Sequence, residues 1–120
     1  MRSDEIVKMV EHPSRFGELE NASHVGRAGM KGEGPYVTFW LRVEDGVVVK
    51  ATSESHGCSY AIATSSLLAG HIEGMRLCEV LEINARAVES IVGGLPEGKG
   101  YCADLASNAL CSALPIHDLE

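Results

Sequence analysis

Eight residues, YVTFWLRV at 36–43, constrain this chain more than any others. Val37, Phe39, Leu41 and Val43 fall on one face of an extended backbone, and Tyr36, Thr38, Trp40 and Arg42 on the other. That period of two is the mark of a β-strand. EDG follows, and Asp45-Gly46 suits the positive φ angles of a tight hairpin turn. VVVKATSESH then returns as the second strand of the hairpin. Its alternation weakens after Ala51, which leaves its register open.

Past that hairpin the period becomes helical. From Cys58 to Ile72, the residues Ala61, Ser65, Leu68 and Ile72 form one stripe with Ile62 and Ala69 beside it, and Gly74 supplies a stop. LCEVL reads as a short helix. Asn84 caps another that carries Val88, Ile91 and Val92 and ends at Gly93-Gly94. LPEGKGY is a loop. A last helix is expected from about Cys102 to Leu114, before Pro115, with Leu105, Ala106, Ala109 and Ala113 as its inner stripe. Before the hairpin, Ser3 caps a short helix bearing Ile6, Val7 and Val10 that ends at His12-Pro13. The Gly-rich stretch between that helix and the hairpin holds loops and one short strand. The expected architecture is α+β, a small antiparallel sheet with helices packed on one face.

The 120 residues suffice for one compact domain spanning 1–120, with no internal repeat and no boundary. Hydrophobic residues at 45% exclude a disordered chain, and aromatics at 5% require an aliphatic, small-residue core. No stretch is long and apolar enough for a bilayer, so no membrane partner is expected. The start carries charges throughout and is not a signal peptide, which makes the cytoplasm the expected location. A net charge of −7 without any Lys/Arg cluster argues against nucleic acid. No GxSxG, phosphate loop or triad points to hydrolase chemistry.

Chemistry therefore rests on the four cysteines. In a reducing compartment they read as thiols rather than disulfides, and no CxxC or HxxxH pair makes a self-contained zinc finger. Cys58 and Cys102 share a context, each following a turn and opening a helix. Unpaired N–H groups at a helix start favour negative charge, hence thiolate, the form that binds metal or attacks sulfur. Buried core residues remain the competing reading, since cysteine is among the most buried residue types. Cys78, between charged neighbours, reads as a bystander. Cys111 follows Cys102 by nine residues, about half a turn away in direction, and reads as packing or bystander. His56, two residues before Cys58, is either a site residue or a surface strand residue, while His12, His24, His71 and His117 lack ligand spacing. Glu33 sits at an acidic loop tip in KGEGP, where a carboxylate is either solvated or completes a metal site.

HPSRFGELENASHVG, LRVEDG, HGCSYAIATSS, VGGLPEGKGYC and DLASNAL occur in one order, over roughly Ile6 to Ala113. In that arrangement the chain resembles the U-type iron–sulfur scaffold family, the group of IscU, SufU and the NifU N-terminal domain. The resemblance implies a three-stranded antiparallel sheet with helices on one side. It also implies a scaffold or carrier rather than a turnover enzyme. Such a protein accepts sulfur from a cysteine desulfurase, joins it with iron and passes the nascent cluster on. Three cysteines from three loops hold the cluster in this family, and Cys58 and Cys102 match the second and third. Counting back from VEDG sets Glu33 at the first cysteine and Pro35 at the usual aspartate. Tyr101 stands where one branch has histidine. LPEGK, Leu95 to Lys99, matches the loop read by an Hsp70-type chaperone but lacks its second proline.

Two thiolates per chain fall short of the four protein ligands common for iron–sulfur clusters. Glu33 or His56 can complete a mixed site. Two chains can bridge one cluster, of 2Fe-2S type, as a homodimer. The resemblance also leaves room for a mononuclear zinc site on Cys58, Cys102 and Glu33 or His56. A further alternative is a cluster-free adaptor or sulfur acceptor docking on the desulfurase. By family analogy Cys102 is the sulfur acceptor.

Overall fold

The structure, a computed structural model, describes residues 17–29, 34–57 and 59–113. Three antiparallel strands, β1 (His24–Ala28), β2 (Tyr36–Glu44) and β3 (Val47–His56), lie in the order β1-β2-β3. Four helices follow: α1 (Ser59–Ile72), α2 (Leu77–Leu81), α3 (Ala85–Ile91) and α4 (Tyr101–Ser112). This is the α+β architecture expected. The expected helix at Ser3–His12 lies outside the described residues, as do Leu114 and Pro115.

The hairpin forms as its alternation requires. Asp45 and Gly46 adopt φ of 54° and 75°, the left-handed pair of a type I′ turn, between the paired residues Glu44 and Val47. A bulge at Arg42/Val43 leaves Val49 unpaired and 41% exposed. Val37, Phe39 and Leu41 are buried, as expected, but Val43 beside the bulge is only half-buried. Tyr36, Thr38 and Trp40 are buried too, so β2 is closed on both faces, as suits a central strand. On that second face the Arg27 Nε donates to Thr38 Oγ1 at 2.8 Å.

β3 keeps one register over its full pairing with Tyr36–Arg42. Alternation fades in its sequence because its inward positions carry hydroxyls: Ser53 pairs with Phe39 and Ser55 with Val37, and both serines are buried. Ser65 of α1 meets Ser55, its Oγ 3.1 Å from Ser55 Oγ and 3.0 Å from the Ala61 carbonyl oxygen. The outer edge of β3 is bonded rather than open. Val48 exchanges bonds with Met75 and Gly74, the Glu73 carboxylate accepts from the Ala51 amide, and the Gly17 amide donates to Ser53. A covered edge removes the template for strand addition.

The helices lie against the Val37/Phe39/Leu41 face, in one core with Leu68, Ile72, Val88, Ala106, Ala109 and Leu110. α4 approaches β1 most closely at Gly26. A Cβ there would overlap the Ala109 carbonyl oxygen and the Ala113 amide nitrogen and lie 2.7 Å from the Ala113 Cα. The buried stripe of α4 is rotated from the expected one. Ala103 and Leu110 are buried with Ala106, Ala109 and Ala113, and Leu105 is only half-buried. α3 begins as expected, with Asn84 Oδ1 accepting from the Ala87 amide at 2.9 Å. Asn84→Ala should lower unfolding free energy by about 1 kcal/mol, read by urea denaturation, because that amide loses its partner.

Candidate functional site

Three chain junctions meet at one end of the sheet. The first is the β1–β2 connection, rooted at Gly29 and Pro35. A Cβ on Gly29 would overlap the Pro35 carbonyl oxygen and lie 3.0 Å from the Tyr36 Cα, so the two stems of this connection touch. The second is the β3–α1 junction. A Cβ on Gly57 would lie 3.3 Å from the Pro35 Cβ and 3.7 Å from the Ala61 Cβ, which packs this junction against the first. The third is the α3–α4 junction. Lys99 Nζ sits 6.0 Å from the ring centre of Tyr60, in the first turn of α1, and 5.9 Å from that of Tyr101, which opens α4. One lysine thus spans the starts of both helices.

The residues singled out in the sequence distribute around these junctions. Glu33 belongs to the first connection and Cys58 follows Gly57 in the second; both lie outside the described residues. Cys102 is the second residue of α4, and its amide donates to the Lys99 carbonyl at 3.1 Å. Its side chain is buried, with 1% exposed. Cys111 is exposed, on the opposite side of α4 as half a turn of rotation requires, so it does not pack. Cys78 is exposed as well. Among the described residues no three His, Cys, Asp or Glu side chains gather as a metal site.

His56 ends β3 on the other face of the sheet from Ser55. Its ring stacks on Tyr36, with ring centres 5.7 Å apart and planes 15° off parallel. The Tyr36 hydroxyl donates to Glu54 Oε1 at 2.9 Å. This bond to a carboxylate holds the Tyr36 phenol above its ordinary pKa, burial adding to the effect and the Glu54 charge adding again, against a smaller pull from Arg27. The imidazole is therefore engaged with Tyr36, away from the helix side where Cys102 lies.

Sequence reasoning passed over Tyr60. Its signal was available: one of six aromatic residues in the chain stands two positions after Cys58. The LPEGK loop, read from sequence only as a recognition element, also has a structural part. Leu95 packs on the core, Lys99 lies over the two rings, and Pro96, Glu97 and Gly98 form the exposed tip.

Comparison with known proteins places the chain in a family and a shared fold. The profile of the NifU-like N terminal domain family matches residues 1–118. The iron–sulfur cluster assembly scaffold protein IscU 1 of Archaeoglobus fulgidus is 34% identical, over 95% of this chain and 74% of that protein. The scaffold protein IscU of Aquifex aeolicus is 30% identical, over 89% of this chain and 71% of its own length. The fold is shared with a crystal structure of a candidate SUF-system scaffold protein from Fervidobacterium islandicum AW-1. That likeness has a TM-score of 0.75 at 18% identity and covers 95% of this chain and 96% of the other. With the family profile matched nearly end to end, the chain belongs to the NifU-like N-terminal domain family.

Proposed function

We propose that this chain is a scaffold on which an iron–sulfur cluster is assembled before transfer to an acceptor protein. The observation that carries the reading is the convergence of the three junctions at one end of the sheet, where Pro35 meets Gly57 and Lys99 meets Tyr60 and Tyr101. The names of its IscU relatives support it. Cys58 and Cys102 are the thiolate donors in this reading, and Glu33 supplies an oxygen donor from the first connection. His56 is the less favoured donor, because binding metal on the helix side requires it to leave the Tyr36 ring.

With two thiolates per chain, a homodimer bridging a 2Fe-2S cluster reaches the usual four. Sulfur arrives from a cysteine desulfurase, with Cys102 as acceptor. An Hsp70-type chaperone reading the 95–99 loop meets Pro96, Glu97 and Gly98 first. Among the described residues no helix is long and apolar enough to cross a membrane, and thiol chemistry of this kind belongs in the reducing cytoplasm.

Purified protein given ferric iron and sulfide under anaerobic conditions should develop visible charge-transfer absorption, and Cys58→Ala should abolish it. A wild-type protein that stays colourless and iron-free overturns the proposal. Metal and sulfide content measured with native mass fixes cluster type and chain number together. Stoichiometric zinc without sulfide would instead assign a mononuclear zinc site.

Two observations favour a second reading. Cys102 is buried, and glutamate replaces the first family cysteine. A cluster-free adaptor that docks on a desulfurase needs the fold but not the thiols. In that case the Cys58→Ala/Cys102→Ala double variant binds the desulfurase as well as wild type does.

A further inference from the structure

The geometry points to Tyr60 and Tyr101 as positioning residues that hold the Lys99 ammonium as a fixed counter-charge for anionic sulfur cargo at the start of α4. The inference rests on the scaffold reading above and adds residues to it. Lys99 Nζ lies 6.0 Å and 5.9 Å from the two ring centres, at the range where a cation is attracted by the electron-rich face of an aromatic ring. All three side chains are half-buried, so the ammonium sheds part of its water and the attraction is stronger than on an open surface.

A lysine has four rotatable side-chain bonds and ordinarily ranges freely. Here both ends of the residue are fixed. Its amide donates to the Pro96 carbonyl at 3.0 Å and its carbonyl accepts from Cys102, while its tip is held by the rings. Its position in the chain, three residues before Cys102, puts a positive charge on the segment that leads into this candidate donor, in a protein of net charge −7. Sulfide and thiolate-bound iron–sulfur clusters are anionic, and an acidic protein repels them unless a local cation compensates. Tyr60 contributes from α1 and Tyr101 from α4, so the same contact ties together the two helix starts that flank the site.

The test has a structural arm and a cargo arm. In the cargo-free protein, the Lys99 ε-methylene protons should resonate upfield of an ordinary lysine because of ring currents. Tyr60→Leu and Tyr101→Leu should each remove part of that shift. An ordinary lysine resonance in wild type overturns the clamp, whatever the protein's function.

The second arm loads the protein anaerobically with ferric iron and sulfide. Lys99→Met keeps the length of the side chain and loses the charge. It should move the cluster's reduction potential to more negative values and speed cluster loss to a chelator several-fold. Lys99→Arg should restore both, and the Tyr60→Leu/Tyr101→Leu variant should shift both part of the way. Unchanged potential and loss rate in Lys99→Met, with wild type loaded, overturn the counter-charge. No cluster in wild type overturns the scaffold reading instead and, with it, this role for the lysine.

Discussion

Gly26→Ala should destabilise the protein by at least about 3 kcal/mol, more than Ala substitution at an ordinary buried glycine. The added methyl meets backbone on α4, not a movable side chain. It would overlap the Ala109 carbonyl oxygen and the Ala113 amide nitrogen. Gly26 pairs with Phe39 at the centre of the sheet face, so β1 has no room to retreat without breaking its ladder to β2. The alternative is to push out the last turn of α4, which buries Ala109, Leu110 and Ala113. For a chain of this size the loss corresponds to a fall in melting temperature of roughly 10 to 20 °C. Gly98→Ala is a useful comparison: nothing lies within 4 Å of the added carbon, and only its positive φ of 84° opposes the change, so the loss should be about 1 kcal/mol. Thermal unfolding of the two variants checks the contrast. Equal losses would mean that α4 does not rest on Gly26.

That close approach was not legible in the sequence. HVGRA reads as an undistinguished polar stretch, and its glycine acquires meaning only from a helix more than eighty residues later. The hairpin was legible because all its determinants are local: alternation in β2 and a turn pair at Asp45-Gly46. β3 shows where that logic stops. Its inward Ser55 is matched by Ser65 from α1, so a polar residue occupies a core position when a partner hydroxyl comes from another element. The same limit applies to the site. Cys58 and Cys102 drew notice through local context, since the sequence around each reads as the start of a helix. The Tyr60–Lys99–Tyr101 contact joins residues from two distant helix starts and has no local signature. His56 illustrates the converse. Proximity to Cys58 in sequence made it a candidate, yet its ring stacks on Tyr36, on the face of the sheet opposite Ser55 and the helices.

If Cys102 is a thiolate donor, as the proposed function has it, replacing it by alanine should reduce iron retained after anaerobic loading at least ~10-fold, since loss of a direct ligand costs no less than loss of a supporting contact. The side chain is small, and alanine fits the same buried position at the head of α4, so the fold should persist and circular dichroism should match wild type. Wild-type iron content in a folded Cys102→Ala protein would return Cys102 to the core. Glu33→Cys tests the same site in the opposite direction. Glu33 stands two residues before Pro35, a span of at most about 7 Å, and Pro35 packs on Gly57, the neighbour of Cys58. A thiolate at 33 is therefore separated by a short path of chain from Cys58, the thiolate donor of the proposed function. Thiolate binds iron in these clusters more durably than carboxylate does. Glu33→Cys should therefore slow cluster loss to a chelator ~10-fold or more relative to wild type. Glu33→Gln, which keeps the size and removes the charge, should accelerate it. Should neither variant alter the rate while Cys102→Ala abolishes loading, the first connection contributes no ligand, and the remaining donors must come from a second copy of the chain.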